Sequence, residues 1–268
     1  MKNRFILFQI ILVSVFIISC KTPFETVRTS NDPVQILAAA NQYYEEEDWL
    51  KAQGLYEVVI PFYRGKTEAE DLFYKYSYTY YNMNQYIMAS HYFNNFTKTF
   101  YNSNLKEEMA FMSAYANYKM SPVSKLDQTP TKTAILEMQT FINTYPNSPR
   151  VDECNVLIDE MRLKLENKSF EEGKLYFQLG YFQAAMSSFE ITLKDFPETK
   201  RAKEIRFYIL KSSHELAKNS VYEKMKERLE DTIDKCEKFR KKYAKSEYNS
   251  EVAVIKKYCS NELKRFVQ

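Results

Sequence analysis

One spacing governs this sequence. Ala52-x3-Tyr56 recurs 37 residues later as Ala89-x3-Phe93, each with an aromatic three residues upstream, Trp49 and Tyr86. Ahead of them, Leu37, Ala40, Asn41 and Tyr44 become Tyr74, Ser77, Tyr78 and Tyr81, then Phe111, Ala114, Tyr115 and Tyr118, each step again 37. A looser version returns as Ala134-x3-Met138 and Ala185-x3-Phe189. Self-similarity at this period confines the chain to stacked supersecondary units, each burying its apolar face on the next. The small residue in each register marks where two helices touch.

The units close alike. Phe96-Thr-Lys-Thr-Phe-Tyr-Asn-Ser, Phe141-Ile-Asn-Thr-Tyr-Pro-Asn-Ser, Thr192-Leu-Lys-Asp-Phe-Pro-Glu-Thr and Phe239-Arg-Lys-Lys-Tyr-Ala-Lys-Ser align residue for residue. An aromatic turns inward, a proline in two of them cannot continue the helix, and Asn, Ser or Thr is expected to cap the next one. Composition agrees: four glycines and eight prolines in 268 residues leave too few breakers for an all-β fold. The expected fold is all-α, a right-handed superhelix of about five helix pairs. Val151 to Leu179 reads as one long first helix of the fourth unit, and Glu247 to Phe266 as a terminal cap helix with Val252, Ile255, Cys259, Leu263 and Phe266 at helical spacing.

The N-terminus has a separate logic. Lys2 and Arg4 precede a 14-residue apolar run, Phe5 to Ile18, which suits a signal-peptide core and is short of a membrane span. Ile17-Ile18-Ser19-Cys20 resembles a bacterial lipobox. Residues 1–19 are therefore expected to be a lipoprotein signal peptide and Cys20 the acylated anchor, each buried methylene of its lipid contributing about 0.8 kcal/mol. Residues 20–33, with two prolines and no periodicity, read as a tether with reach rather than structure. Cys154, Cys236 and Cys259 remain, an odd number that implies no disulfide framework; a Cys236–Cys259 bridge and buried thiols both fit.

The charge is two-ended. Residues 21–197 carry 17 Lys+Arg against 23 Asp+Glu, net −6, and residues 198–268 carry 19 against 12, net +7. Without an arginine cluster or RNA-binding motif, nucleic acid is not an expected partner. Two distant histidines, His91 and His214, no phosphate loop and no nucleophile elbow leave no basis for an enzyme, a metal or a small-molecule substrate. The only expected cofactor-like group is the covalent lipid on Cys20.

The spread of aromatic and small positions resembles the tetratricopeptide repeat, two antiparallel helices over about 34 residues. That resemblance implies a concave face lined by the first helix of each pair. Asn41, Tyr44, Tyr74, Tyr78, Tyr81, Phe111, Tyr115 and Tyr118 fall there and are the peptide-binding candidates. The order of Cys20, tether, repeats, Tyr145-Pro146-Asn147-Ser148, long helix and Phe196-Pro197-Glu198-Thr199 further resembles the BamD-like family of outer-membrane assembly lipoproteins. The resemblance implies lipid anchoring on the periplasmic face of the outer membrane. It also implies N-terminal repeats (34–149) that receive unfolded barrel precursors and C-terminal repeats (150–268) that dock a BamA-like barrel insertase, with Arg240, Lys241 and Lys242 as docking candidates. A periplasmic adaptor for peptidoglycan enzymes and a glycan-uptake lipoprotein are the alternatives, the second disfavoured because sugar sites use exposed tryptophan and only Trp49 is present.

Overall fold

Each 37-residue step is a helix pair. The structure, a computed structural model, describes residues 22–266; the expected signal peptide, residues 1–19, and Cys20 lie outside the described residues. Twelve α-helices follow one another among them, with no strand. A first compact unit takes residues up to Ser121 with Thr129–Asn155, and a second takes Pro122–Gln128 and the chain from Val156.

The first unit contains α1 (Pro23–Arg28), α2 (Pro33–Glu45), α3 (Trp49–Tyr63), α4 (Ala69–Asn82), α5 (Tyr86–Thr99), α6 (Lys106–Lys119) and α7 (Thr129–Thr144), and α8 (Val151–Gln178) starts in it. Successive helices from α2 to α7 pack against one another. The repeat positions explain how. Ala40, Ser77 and Ala114 on the first helices and Ala52, Ala89 and Ala134 on the second are buried, which lets backbones approach. Tyr56, Phe93 and Met138, four residues beyond those alanines, fill the space between helices.

Turns inside the pairs repeat too. The amides of Asp48 and Gln85 donate to the carbonyls of Tyr43 and Tyr80, both at 2.9 Å, closing Schellman turns through Glu47 and Asn84, each at φ 59°. In the second unit Tyr181 donates to Tyr176 at 2.9 Å through Gly180 at φ 79°. An edge-to-face aromatic pair spans each turn: Tyr44–Trp49 at 5.2 Å, Tyr81–Tyr86 at 5.5 Å and Phe177–Phe182 at 5.7 Å.

Connections between pairs are equally uniform. The amides of Ser103, Ser148, Thr199 and Ser246 donate to the carbonyls of Phe100, Tyr145, Phe196 and Tyr243 at 3.0 to 3.1 Å. Their hydroxyls accept from the amides of Leu105, Arg150, Arg201 and Tyr248 at 3.0 to 3.2 Å, and the next helix begins one residue later. Thus the hydroxyl residue orders the connection two residues ahead, rather than sitting in the N-cap position itself. Two also clasp the preceding first helix: Ser103 donates to Glu70 at 2.6 Å and Thr199 to Glu166 at 2.5 Å, both 33 residues back.

The tether expectation needs correction. Residues 23–28 are helical, capped by the Thr22 hydroxyl and opened by Pro23 at its first turn. Phe24 packs edge-on against Tyr43 at 6.0 Å and lies over Gly54, so this segment has its own apolar contact. Asp32 then caps α2 through the amides of Val34 and Gln35.

In the second unit, α8 continues and is followed by α9 (Phe182–Asp195), α10 (Ala202–Lys218), α11 (Tyr222–Lys242), α12 (Asn249–Leu263) and a 3₁₀ turn (Lys264–Phe266). One core joins Phe170, Ala185, Phe189 and Ile205; another joins Phe207, Leu210, Leu229, Cys236, Phe239, Val252, Ile255 and Cys259. The last of these is closed by α12, which buries Val252, Ile255 and Cys259, three of the five residues expected of a cap helix, while Leu263 and Phe266 pack partly buried against the same core. Cys154, Cys236 and Cys259 are free and buried, so the thiol alternative holds and the bridge does not.

Candidate functional site

The first helices of the N-terminal pairs, α2, α4 and α6, share a face rich in tyrosine. Because 37 residues return the helix to the same orientation, residues 44, 81 and 118 line up across it, as do 41, 78 and 115. Asn41 is half-buried and its carbonyl oxygen accepts from Tyr56 Oη at 2.8 Å and Lys75 Nζ at 3.3 Å. Tyr44 is held by Trp49 and Tyr56, with Lys75 Nζ 6.0 Å from its ring centre. On α4, Tyr74 and Tyr78 lie 4.8 Å apart, and both donate to Glu108 Oε1 on α6, at 3.2 and 2.6 Å. Tyr81 bridges Tyr78 and Tyr115, each at 6.4 Å, and Tyr115 stacks on Tyr118 at 5.6 Å.

All of these tyrosines are half-buried, which leaves ring surface open, but Phe111 is 2 % exposed. Phe111 is therefore corrected from groove to core. It stacks on Tyr115 at 5.5 Å, meets Phe141 at 5.7 Å and carries the Arg150 guanidinium 4.2 Å from its centre. Leu37 and Tyr74 at the same register are only half-buried, so the physical reason is local cover, by Phe141 of α7 and by Arg150 just ahead of α8. Lys75 and Arg150 have no place in the sequence reading of this face, and Glu108 enters it only as half of the adjacent pair Glu107/Glu108, which points apart. Glu108 was findable, because it stands 37 residues after Asp71.

Burial pushes the Tyr44 hydroxyl up to about 12. Burial also raises Tyr74, Tyr78 and Tyr81, with the Glu108 carboxylate adding to the effect at the first two. These phenols stay protonated at neutral pH and act as donors. The face offers apolar ring area, neutral hydroxyls and one carboxylate, which suits binding rather than bond-making.

Arg240, Lys241 and Lys242 stand exposed in the last turn of α11, where cations meet the negative end of the helix dipole. Lys242 lies 5.8 Å from the Tyr243 ring centre and borders a groove of about 450 Å³ between α9, α10 and α11. Leu193, Ile209 and Phe239 line it with Arg206 and Lys194, alongside the acids Glu190, Asp231 and Asp234. At equivalent repeat positions the first unit has a groove of about 340 Å³ with Thr97, Ser113, Glu137, Thr140 and Thr144.

Near the C-terminus Cys259 Sγ lies 3.7 Å from His214 Nδ1. Burial raises that thiol to about 11 and lowers His214, so both are held neutral, the reverse of an activated thiolate pair. Among the described residues no cluster of His, Cys, Asp and Glu fits a metal ion, and no helix is long and apolar enough to cross a membrane.

Comparison with protein families matches residues 29–229 to YfiO, described as outer membrane lipoprotein. This chain belongs to the YfiO outer membrane lipoprotein family. The YfiO span contains every candidate on the tyrosine face and stops short of Arg240, Lys241 and Lys242. No curated protein matches the sequence. Among solved structures the chain is similar to a Podosopora anserina kinesin light chain of nearly identical TPR-like repeats, with 15% identity and a TM-score of 0.32, over 81% of this chain and 100% of that one.

Proposed function

We propose that this YfiO-family chain is a non-enzymatic scaffold of outer-membrane β-barrel assembly, anchored by a lipid on Cys20 and facing the periplasm. It takes unfolded barrel precursors on the tyrosine face of α2, α4 and α6. It docks a BamA-like insertase through its basic C-terminal half, around Arg240, Lys241 and Lys242.

The observation that carries the proposal is the ladder of half-buried rings joined across three helices, from Tyr44 through Tyr74, Tyr78 and Tyr81 to Tyr115 and Tyr118. Barrel strands expose aromatic and aliphatic side chains before insertion. Tyrosine rings accept such side chains without demanding one sequence. Trp49, the only tryptophan, is half-buried and packed edge-to-face against Tyr44, which weakens the glycan alternative.

A photo-cross-linker placed at Tyr78 should capture barrel precursors, and one placed at Lys241 should capture the large barrel partner. Capture of peptidoglycan enzymes at both positions instead would favour the periplasmic-adaptor alternative and overturn the proposal.

A further inference from the structure

The repeat lets one carboxylate be compared with its own counterpart. Asp71 opens α4, and 37 residues later Glu108 lies in the first turn of α6. Four residues beyond Asp71 stands Lys75, whose Nζ pairs with it at 3.0 Å. Four residues beyond Glu108 the chain has Met112, buried in the core. Asp71 therefore has its cation within its own helix, and Glu108 makes no ion pair among the described residues.

What surrounds Glu108 is aromatic. The phenols of Tyr74 and Tyr78 donate to its Oε1, which fixes both rings with their centres 4.8 Å apart beside the carboxylate. Tyr81 and Tyr115 continue the row. A half-buried carboxylate flanked by tyrosine rings attracts a cation twice, through its charge and through the negative faces of the rings. The rings of this unit already accept cations from the chain: Lys119 lies 5.6 Å from Tyr115 and Arg150 lies 4.2 Å from Phe111.

We infer that Glu108 with Tyr74 and Tyr78 forms a specificity site for a lysine or arginine side chain of the bound peptide. The peptide chemistry it fits is a basic residue close to an aromatic, the aromatic lying along Tyr81 and Tyr115. This rests on the peptide-binding reading of the tyrosine face and adds a charge requirement to it.

The test uses the full chain in detergent and two fluorescent peptides identical except that one carries lysine beside a phenylalanine and the other norleucine. The native protein should bind the lysine peptide about tenfold more tightly. In Glu108→Gln, which keeps an acceptor for both phenols, the preference should vanish, the two peptides binding the variant equally. Equal binding of the two peptides by the native protein would overturn the inference, without using any variant, and leave the peptide groove standing. A lysine preference that survives in Glu108→Gln would also overturn it, by assigning the selection to other acids. Failure of both peptides to bind would overturn the groove reading and this inference with it.

Discussion

Two glycines show how much a single hydrogen can decide here. A Cβ on Gly173 would stand 2.6 Å from the ring of Phe189, which is fully buried and cannot yield. Gly173 occupies on α8 the close-approach position that Ala40, Ser77 and Ala114 hold on α2, α4 and α6. In this pair even alanine is too large. Gly173→Ala should cost about 1–3 kcal/mol, seen as a lower melting temperature. Gly54→Ala should do the opposite, because its Cβ would meet Phe24 at an ordinary 3.6 Å within a helix, and should raise stability by about 0.5–1 kcal/mol. Equal effects of the two changes would contradict the packing described.

His214 carries the clearest pH signature. Burial lowers its folded pKa below the unfolded value near 6.5, so below that pH the unfolded chain binds more protons than the folded one. The stability its neutral form provides is present above about pH 6.5 and is lost as the pH falls below it. Thermal melts at pH 7.5 and 5.5 should show a smaller pH difference in His214→Gln than in the native chain; an unchanged difference would rule His214 out.

At the scale of elements, the connections matter as much as the helices. Thr199 both orders the turn before α10 and holds α8 through Glu166. Thr199→Ala should cost about 1–2 kcal/mol and Thr199→Ser much less, since serine keeps the hydroxyl. A double-mutant cycle with Glu166→Gln should return a coupling above about 0.5 kcal/mol; additive effects would mean the clasp is incidental.

These connections were legible in the sequence because a recurring Ser or Thr after an aromatic has one geometric meaning. The shared tyrosine face of α2, α4 and α6 was legible for a similar reason, since a 37-residue step preserves helix orientation. Other features were not. The two prolines of residues 20–33 count toward a tether in the sequence reading, although after Thr22 a proline such as Pro23 opens a helix as readily as it ends one. Phe111 keeps the groove register yet is covered by Phe141 of α7 and by Arg150, and register alone cannot say which positions a later segment will overlay. Glu108 reads in the sequence only as half of the pair Glu107/Glu108, whose adjacent side chains point apart on a helix; its contacts with Tyr74 and Tyr78 are what give it a role.

For the whole molecule, family membership gives an outer membrane lipoprotein, and Cys20 is the proposed point of its lipid anchor. Cys20→Ala should move the protein from the membrane fraction to the soluble fraction, or leave it stalled with its signal attached at the inner membrane, as judged by fractionation and mass. Unaltered outer-membrane fractionation would refute acylation at that residue.

The repeated connections have a temporal meaning as well. Each one ties a helix pair to the pair just before it in the chain, by bonds that span only a few residues or a single repeat. A chain threaded end first through a narrow pore can therefore finish each pair as soon as it emerges, on a surface already built. No pair within a unit has to wait for a distant partner, which keeps exposed apolar surface small while the protein is most prone to aggregate.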